Sequence, residues 1–358
     1  MRILHILNRL SSFGNGIVNL AVDVAIEQKK AGHTVAFLTG PDGGYETMLR
    51  SFGVEVFKNM QEQTLANLLP ASFKSRQVLR EFKPDVVHAH MQTALLLVIP
   101  WTKLYGIPMI GHLHNVHDRS AHRMSWADRL ITVSASVQQS MLDLGVPATK
   151  LRTVLNGTVR SPRVPKISDQ VPEPLLRPAI LTVAGMSHRK GISELIQAFE
   201  IVGAQLSEAH LYLAGIGPEK PLFEQQAADS PMRDRIHFLG FTPNPQRLMI
   251  SSDVFVLASR RDSFGLVLAE AREAGCAIVA SDVDGIPEAL DGGEAGILVP
   301  AQSPKDLAEA ILSLLQDDNL RQEWRRRAGI GLERFTVARM TEEVMDVYRE
   351  VVRSDINR

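Results

Sequence analysis

Three groups of residues have types and spacings that could do chemistry. The first is Ala184-Gly185-Met186-Ser187-His188-Arg189-Lys190-Gly191, which follows the apolar run Ala179–Val183 and precedes a helical pattern beginning at Ile192. Arg189 and Lys190 are adjacent cations beside a glycine turn at a strand–helix junction, and can neutralise a diphosphate carrying about two charges. An exposed basic turn would look the same. The second is Asp262-Ser263-Phe264-Gly265-Leu266-Val267-Leu268-Ala269-Glu270, at the end of the strand-like run Val254–Leu257. A helix opening around Phe264 puts Glu270 roughly two turns beyond Asp262. Free N–H groups of the first helical turn then lie between two carboxylates. Acceptors flanking an anion site suit a ligand with hydroxyls on either side of a phosphate, as in a nucleotide sugar.

The third group is histidine. Eight of the eleven histidines precede residue 161, among them His88, His90, His112, His114, His117 and His122, with Asp118 nearby. Paired His-x-His at strand ends could ligate zinc, as in a metal-dependent hydrolase. Such hydrolases mostly use one barrel, which does not match the two repeats described below. Asp282-Val283-Asp284 has the form of a manganese-binding Asp-x-Asp, but reads here as a solvated turn. A weaker phosphate signal lies near the start. Gly14 and Gly16 sit between a strand and a helix, where backbone N–H groups favour an anion. The third glycine of the dinucleotide fingerprint is missing, and an ordinary tight turn fits as well.

These residues need elements to hold them. Ile3–Leu7, Thr34–Thr39, Asp85–His88, Pro108–His112 and Leu130–Val133 read as strands separated by helical patterns, which predicts a mostly parallel sheet. Residues 161–178 contain five prolines and no periodicity, as an interdomain linker does. The alternation restarts at Ala179–Val183 and continues through Leu211–Ala214, Ile236–Leu239, Val254–Leu257 and Ala277–Ala280. The fold class expected is α/β with two doubly wound, Rossmann-like domains facing across a cleft at the carboxyl ends of their sheets. The domains are 1–160 on the acceptor side and 179–336 on the donor side. Residues 337–358 form an amphipathic helix expected to pack back on the first domain.

A chain of 358 residues exceeds the size at which one core keeps growing. The single cysteine, Cys276, excludes an internal disulfide and suits a reducing compartment. The N-terminal apolar run is too short for a signal peptide. The run Ala94–Trp101, interrupted by Pro100, falls far below the roughly 20 residues of a membrane span. A cytoplasmic protein is expected. Residues 1–160 carry 17 Lys and Arg against 11 Asp and Glu, while the remainder carries 22 against 29. Such asymmetry can mean that the first half meets an anionic surface. Residues 73–83 set Lys and Arg beside apolar residues at near-helical spacing, as a peripheral membrane contact or an ordinary surface helix would.

The chain resembles the retaining glycosyltransferase family 4 of GT-B architecture (glycosyl transferases group 1). Asp262, seven residues and Glu270 match its Glu-x7-Glu signature, with Asp in place of the first Glu. Further matches are Gly16, Gly32-His33-Thr34-Val35, Pro84-Asp85-Val86-Val87-His88-Ala89-His90, Asn156-Gly157, Arg189-Lys190-Gly191 and Gly285-Ile286-Pro287-Glu288, in family order over nearly the whole length. The resemblance implies transfer of a hexose from a UDP- or GDP-sugar to a glycan, lipid-linked or small-molecule acceptor, without a metal cofactor and without nucleic acid. It also assigns roles. Glu270 would hold the ribose and Lys190 the diphosphate, with backbone amides near Phe264, Gly265 and Leu266. Asp262 would meet hydroxyls of the donor sugar. Gly16 would bring the first loop against the diphosphate, and His114 would stand beside the anomeric carbon. Two departures qualify this. Ala184-Gly185 occupies the region where the family usually has an Arg, so that Arg189 is the candidate substitute, and Asp262 is one methylene shorter than Glu. An inactive homologue that binds nucleotide sugar is the remaining alternative.

Overall fold

The computed structural model describes residues 1–40, 42–59, 65–115 and 119–356. His117 and Asp118 therefore lie outside the described residues. The chain divides into two compact units, one of Met1–Gly157, Ser161–Arg163 and Phe335–Arg358, the other of Thr158–Arg160 and Val164–Arg334.

The first unit contains strands β1 (Arg2–Leu7), β2 (Leu10–Ser11), β3 (Thr34–Thr39), β4 (Asp42–Gly43), β5 (Glu55–Lys58), β6 (Val86–Ala89), β7 (Met109–Leu113), β8 (Arg129–Thr132) and β9 (Leu151–Thr153). Seven of them form one parallel sheet in the order β5-β3-β1-β6-β7-β8-β9, while β2 and β4 pair as a separate ribbon. Helices α1 (Gly16–Lys30), α2 (Glu46–Ser51), α3 (Leu65–Phe82), α4 (Gln92–Tyr105) and α5 (Ala135–Asp143) alternate with the strands. A parallel sheet covered on both faces needs apolar residues in succession rather than in alternation. Ile3, Leu4, Ile6 and Leu7 of β1 are all fully buried, and so are Phe37 and Leu38 of β3. The strand order reverses between β1 and β6, the place where doubly wound sheets bind ligands beyond their carboxyl ends. His5 and His88 are register partners across that reversal.

The second unit repeats the plan with β10 (Ala179–Val183), β11 (His210–Ala214), β12 (Ile236–Gly240), β13 (Val254–Leu257), β14 (Ala277–Ser281) and β15 (Ile297–Val299), in the order β12-β11-β10-β13-β14-β15. Its helices are α6 (Ile192–Gln205), α7 (Lys220–Asp229), α8 (Gln246–Ser251), α9 (Leu266–Glu273), α10 (Ile286–Ala289), α11 (Pro304–Gln316) and α12 (Asp318–Ala328). Ile196 and Phe199 of α6 and Ile311 and Leu314 of α11 share one core with Leu211, Leu213, Val254 and Val256 of the sheet. Here the reversal lies between β10 and β13, with Ile180 opposite Val254 and Leu181 opposite Phe255.

The proline-rich stretch is tied down at its start. Arg163 donates from Nε to Asp23 Oδ1 at 2.7 Å and from Nη2 to Oδ2 at 3.0 Å, and the Ser161 hydroxyl donates to the same carboxylate at 2.9 Å. The last helix, α13 (Val337–Ile356), belongs to the first unit, where Met340, Val344, Val347 and Tyr348 are fully buried. Five short strands were not expected: β2 and β4 of the small ribbon, and β5, β9 and β15 of the large sheets. Each of the last three lies at an edge of its sheet, where one side of the strand makes no ladder and charged residues such as Glu55 and Lys58 are tolerated.

Candidate active site

In the second unit the loops after β10 and β13 meet at the strand-order reversal. Gly191 makes this possible. Its φ is +64°, and a Cβ there would stand 1.8 Å from the Ala258 carbonyl oxygen, so only glycine lets the two backbones approach. The Arg260 N–H donates to the Arg189 carbonyl at 2.8 Å, and Arg189 Nη1 donates to the Arg261 carbonyl at 3.1 Å. Arg260 Nε reaches Glu194 Oε1 of α6 at 2.7 Å. Across this seam Lys190 Nζ donates to Asp262 Oδ2 at 2.5 Å. Two of the residues singled out from sequence are thus brought into direct contact, with the exposed Arg189 beside them.

Asp262 is buried. Burial by itself would raise its carboxyl pKa. The Lys190 ammonium, with help from Arg189 and the Phe264 N–H, outweighs that and holds it below the ordinary carboxylate range. The other oxygen of Asp262 corrects one expectation. Oδ1 accepts from the Gly265 N–H at 3.0 Å and from the Phe264 N–H at 3.4 Å. The amides of Phe264 and Gly265, just upstream of α9, therefore already have a carboxylate acceptor, whereas α9 itself has no side-chain cap. The physical reason is that a short acidic side chain readily accepts from backbone N–H groups two and three residues on. Leu266 is the first residue of α9, and Glu270 stands half-buried one turn further along. Asp284, in the loop after β14, is also engaged. It accepts from Arg261 Nε at 2.8 Å and from the Asp262 N–H at 2.9 Å, so it braces the Asp262 turn, while Asp282 is exposed.

In the first unit, Gly14 has φ +58° with no atom within 4 Å of a Cβ placed there, so conformation and not crowding calls for glycine. Gly16 opens α1. The Asn15 Oδ1 accepts from the N–H of Ile17 at 3.1 Å and of Val18 at 3.4 Å. At this helix the first-turn amides proposed for an anion are capped by a side chain.

His114 follows β7 and belongs to a cluster of five imidazoles at the carboxyl ends of β1, β6 and β7. His5, His88, His90 and His112 are buried and His114 is half-buried. His88 and His90 lie 4.1 Å apart between ring centroids, as do His112 and His114. Desolvation lowers the pKa of all five, to about 4 for His5 and about 3 for His114, so the rings are neutral at neutral pH. Two trios, His5 with His88 and His90, and His90 with His112 and His114, have ring nitrogens within 4.8 Å of one another, close enough to surround a metal ion. Three neutral imidazoles are a competent metal-ligand set, but in this structure His5, His90 and His114 are engaged in hydrogen bonds to one another, as described below. His5, Gln28 and Tyr348 were not singled out from sequence. A histidine inside the apolar run Ile3–Leu7 was the available signal for the first. Nothing local marks the other two.

The family described as Glycosyltransferase Family 4 matches residues 14–160, and that described as Glycosyl transferases group 1 matches residues 164–329. Glycogen synthase of Mycobacterium tuberculosis is 28% identical over 277 residues, 72% of this chain and 66% of that protein. Phosphatidyl-myo-inositol mannosyltransferase of Mycolicibacterium smegmatis is 34% identical over 166 residues, 46% of this chain and 42% of that protein. The chain thus spans under two thirds of the length of these curated relatives. The crystal structure of Anabaena Alr3699/HepE in complex with UDP and glucose superposes with a TM-score of 0.83 at 22% identity, covering 98% of this chain and 99% of that one. Two parallel-sheet units with this topology, matched in turn by both family descriptions, mean that the chain belongs to the family 4 glycosyltransferases of GT-B fold.

Proposed function

We propose that this protein transfers a hexose from a UDP- or GDP-sugar to a glycan, lipid-linked or small-molecule acceptor, with retention of the anomeric configuration. The observation that carries this reading is the Lys190–Asp262 pair at the strand-order reversal of the second unit, with Glu270 on the helix that follows. A diphosphate entering there competes with Asp262 for the Lys190 ammonium. Arg189 adds a second cation at the loop surface. Glu270 accepts from the ribose hydroxyls, and Asp262, once its bond to Lys190 loosens, can accept from a sugar hydroxyl. Gly16 and His114 keep the roles the resemblance implies, and Gly14 the phosphate approach read from its loop.

No carboxylate at the matching positions is an obvious nucleophile, so the reading is front-face attack. The bond from the anomeric carbon to the diphosphate oxygen breaks as the acceptor oxygen bonds to the same face, and the acceptor's proton passes to the departing diphosphate. Lys190 stabilises the charge that builds on the leaving group. The cation is supplied by the chain, so the reaction is read as metal-independent. A screen of nucleotide sugars for thermal stabilisation and release of nucleoside diphosphate, with the product anomer read by NMR, tests the reading. Inverted product, or a rate abolished by a chelator, would count against it.

A peripheral membrane contact at a cytoplasmic membrane face is favoured by one observation on the first unit. Leu69 and Phe73 of α3 and Leu104 of α4 are 70%, 57% and 64% exposed, beside Arg76, whose guanidinium lies 5.2 Å from the Trp101 ring centroid. Apolar side chains flanked by Lys74, Arg76 and Arg80 match an anionic lipid surface. No helix among the described residues is long and apolar enough to cross a membrane. Co-sedimentation with liposomes that does not depend on anionic lipid would exclude the contact.

A further inference from the structure

Three of the five clustered histidines form a directed chain of hydrogen bonds. The Gln28 amide oxygen lies 2.8 Å from His5 Nε2, His5 Nδ1 lies 3.0 Å from His90 Nε2, and His90 Nδ1 lies 3.3 Å from His114 Nε2. A neutral imidazole has one donor and one acceptor nitrogen. If Gln28 presents oxygen, His5 must carry its proton on Nε2 and accept at Nδ1. His90 must then do the same, and so must His114. One amide therefore decides the tautomer of three rings in series.

The orientation of that amide is held from the other side. Gln28 Nε2 lies 3.4 Å from the Tyr348 hydroxyl of α13, which lies 2.5 Å from His88 Nδ1. Turning the amide over would reverse every bond in the chain. It would also make the 2.8 Å contact an N–H···N bond, which is short for that type, while the 3.4 Å contact is long for an N–H···O bond and longer still for an O–H···O bond. The orphaned nitrogens do not separate the two orientations, because the flip leaves His114 Nδ1 as a buried N–H while oxygen toward His5 leaves His88 Nε2 as one, so the short contact to His5 decides.

We propose that Gln28 is a positioning residue: acting through His5 and His90, and itself held by Tyr348, it keeps the His114 proton on Nε2 and the ring in one orientation. Its relevance to turnover rests on the reading of His114 given above, but the tautomer itself does not.

The test uses the full chain labelled with ¹⁵N-histidine. Long-range ¹H–¹⁵N correlation at pH 7.5 should show His114 protonated at Nε2 alone. Gln28→Leu should convert this to a mixture of tautomers and lower kcat about tenfold, with KM for the donor changed less than about twofold. Tyr348→Phe removes a single oxygen, keeps the packing, and should give a partial shift if the Gln28 variant does not fold. A wild-type His114 protonated at Nδ1, or a pattern unchanged in either folded variant, overturns the proposal. A shifted tautomer with unchanged turnover upholds the relay and refutes the assignment of His114 to the reaction.

Discussion

Lys190 and Asp262 are 72 residues apart in the chain and 2.5 Å apart in space, joining the two loops that flank the strand-order reversal of the second unit. Both partners are largely removed from solvent, with side chains 16% and 11% exposed. A pair in this setting stays intact only while nothing more anionic than one carboxylate approaches, which is the property a diphosphate site needs.

Lys190→Ala should lower the rate at saturating donor by about 10²-fold or more, a loss of roughly 3 kcal/mol in stabilising the leaving group. Single-turnover kinetics on the folded variant check this. A rate equal to wild type removes Lys190 from the mechanism.

Asp262 supports the fold as well as the site, because one oxygen holds the turn before α9 through the Phe264 and Gly265 amides while the other meets Lys190. Asp262→Ala should cost about 2–4 kcal/mol, combining lost turn hydrogen bonds with an unpaired cation. Asp262→Asn keeps an acceptor for the Gly265 amide and should cost less. The native carboxyl pKa is depressed, so the charge contributes stability above the unfolded value of about 4 and loses it as pH falls through the native one. Urea midpoints of wild type and Asp262→Asn should therefore converge below about pH 4. A constant gap across that range would contradict the assignment.

The histidine cluster should make the first unit acid-sensitive. Its five rings have native pKa values below the ordinary 6.5, to about 4 for His5 and about 3 for His114. The unfolded chain binds protons as pH falls through 6.5 while the native unit does not, so stability is full above that value and declines below it. Each ring costs roughly 1 kcal/mol between pH 7.5 and 5.5, and five together approach the whole stability of a domain. Urea unfolding followed by Trp101 and Trp126, with Trp324 replaced by Phe, reads the first unit alone. A midpoint independent of pH over this interval would show that the rings are not held neutral.

Gly191→Ala should separate the two loops, since the added Cβ meets the Ala258 carbonyl at 1.8 Å in a backbone conformation that alanine resists. The expected loss is about 2 kcal/mol or more in stability, together with weakened binding of nucleoside diphosphate by calorimetry. Unchanged affinity in a stable variant would mean that the loops need not touch.

Periodicity alone marked most of the strands that build both sheets, because a strand buried on two faces must be written as a run such as Ile3–Leu7 or Val254–Leu257, and such runs are visible without coordinates. The spacing of Asp262 and Glu270 was equally legible, being a property of one local strand–turn–helix segment. Of the four strands at the edges of the two large sheets, β12 was legible and β5, β9 and β15 were not, since pairing on one side places few demands on composition. The partners of Asp262 belonged to the tertiary structure. That its carboxylate would meet Lys190 as well as the turn amides before α9 depends on Gly191 letting a distant loop come close. The link from Gln28 and Tyr348 to His114 is the extreme case. Those residues come from α1, α13 and the end of β7, and long-range packing, which no local pattern encodes, is what aligned their hydrogen bonds.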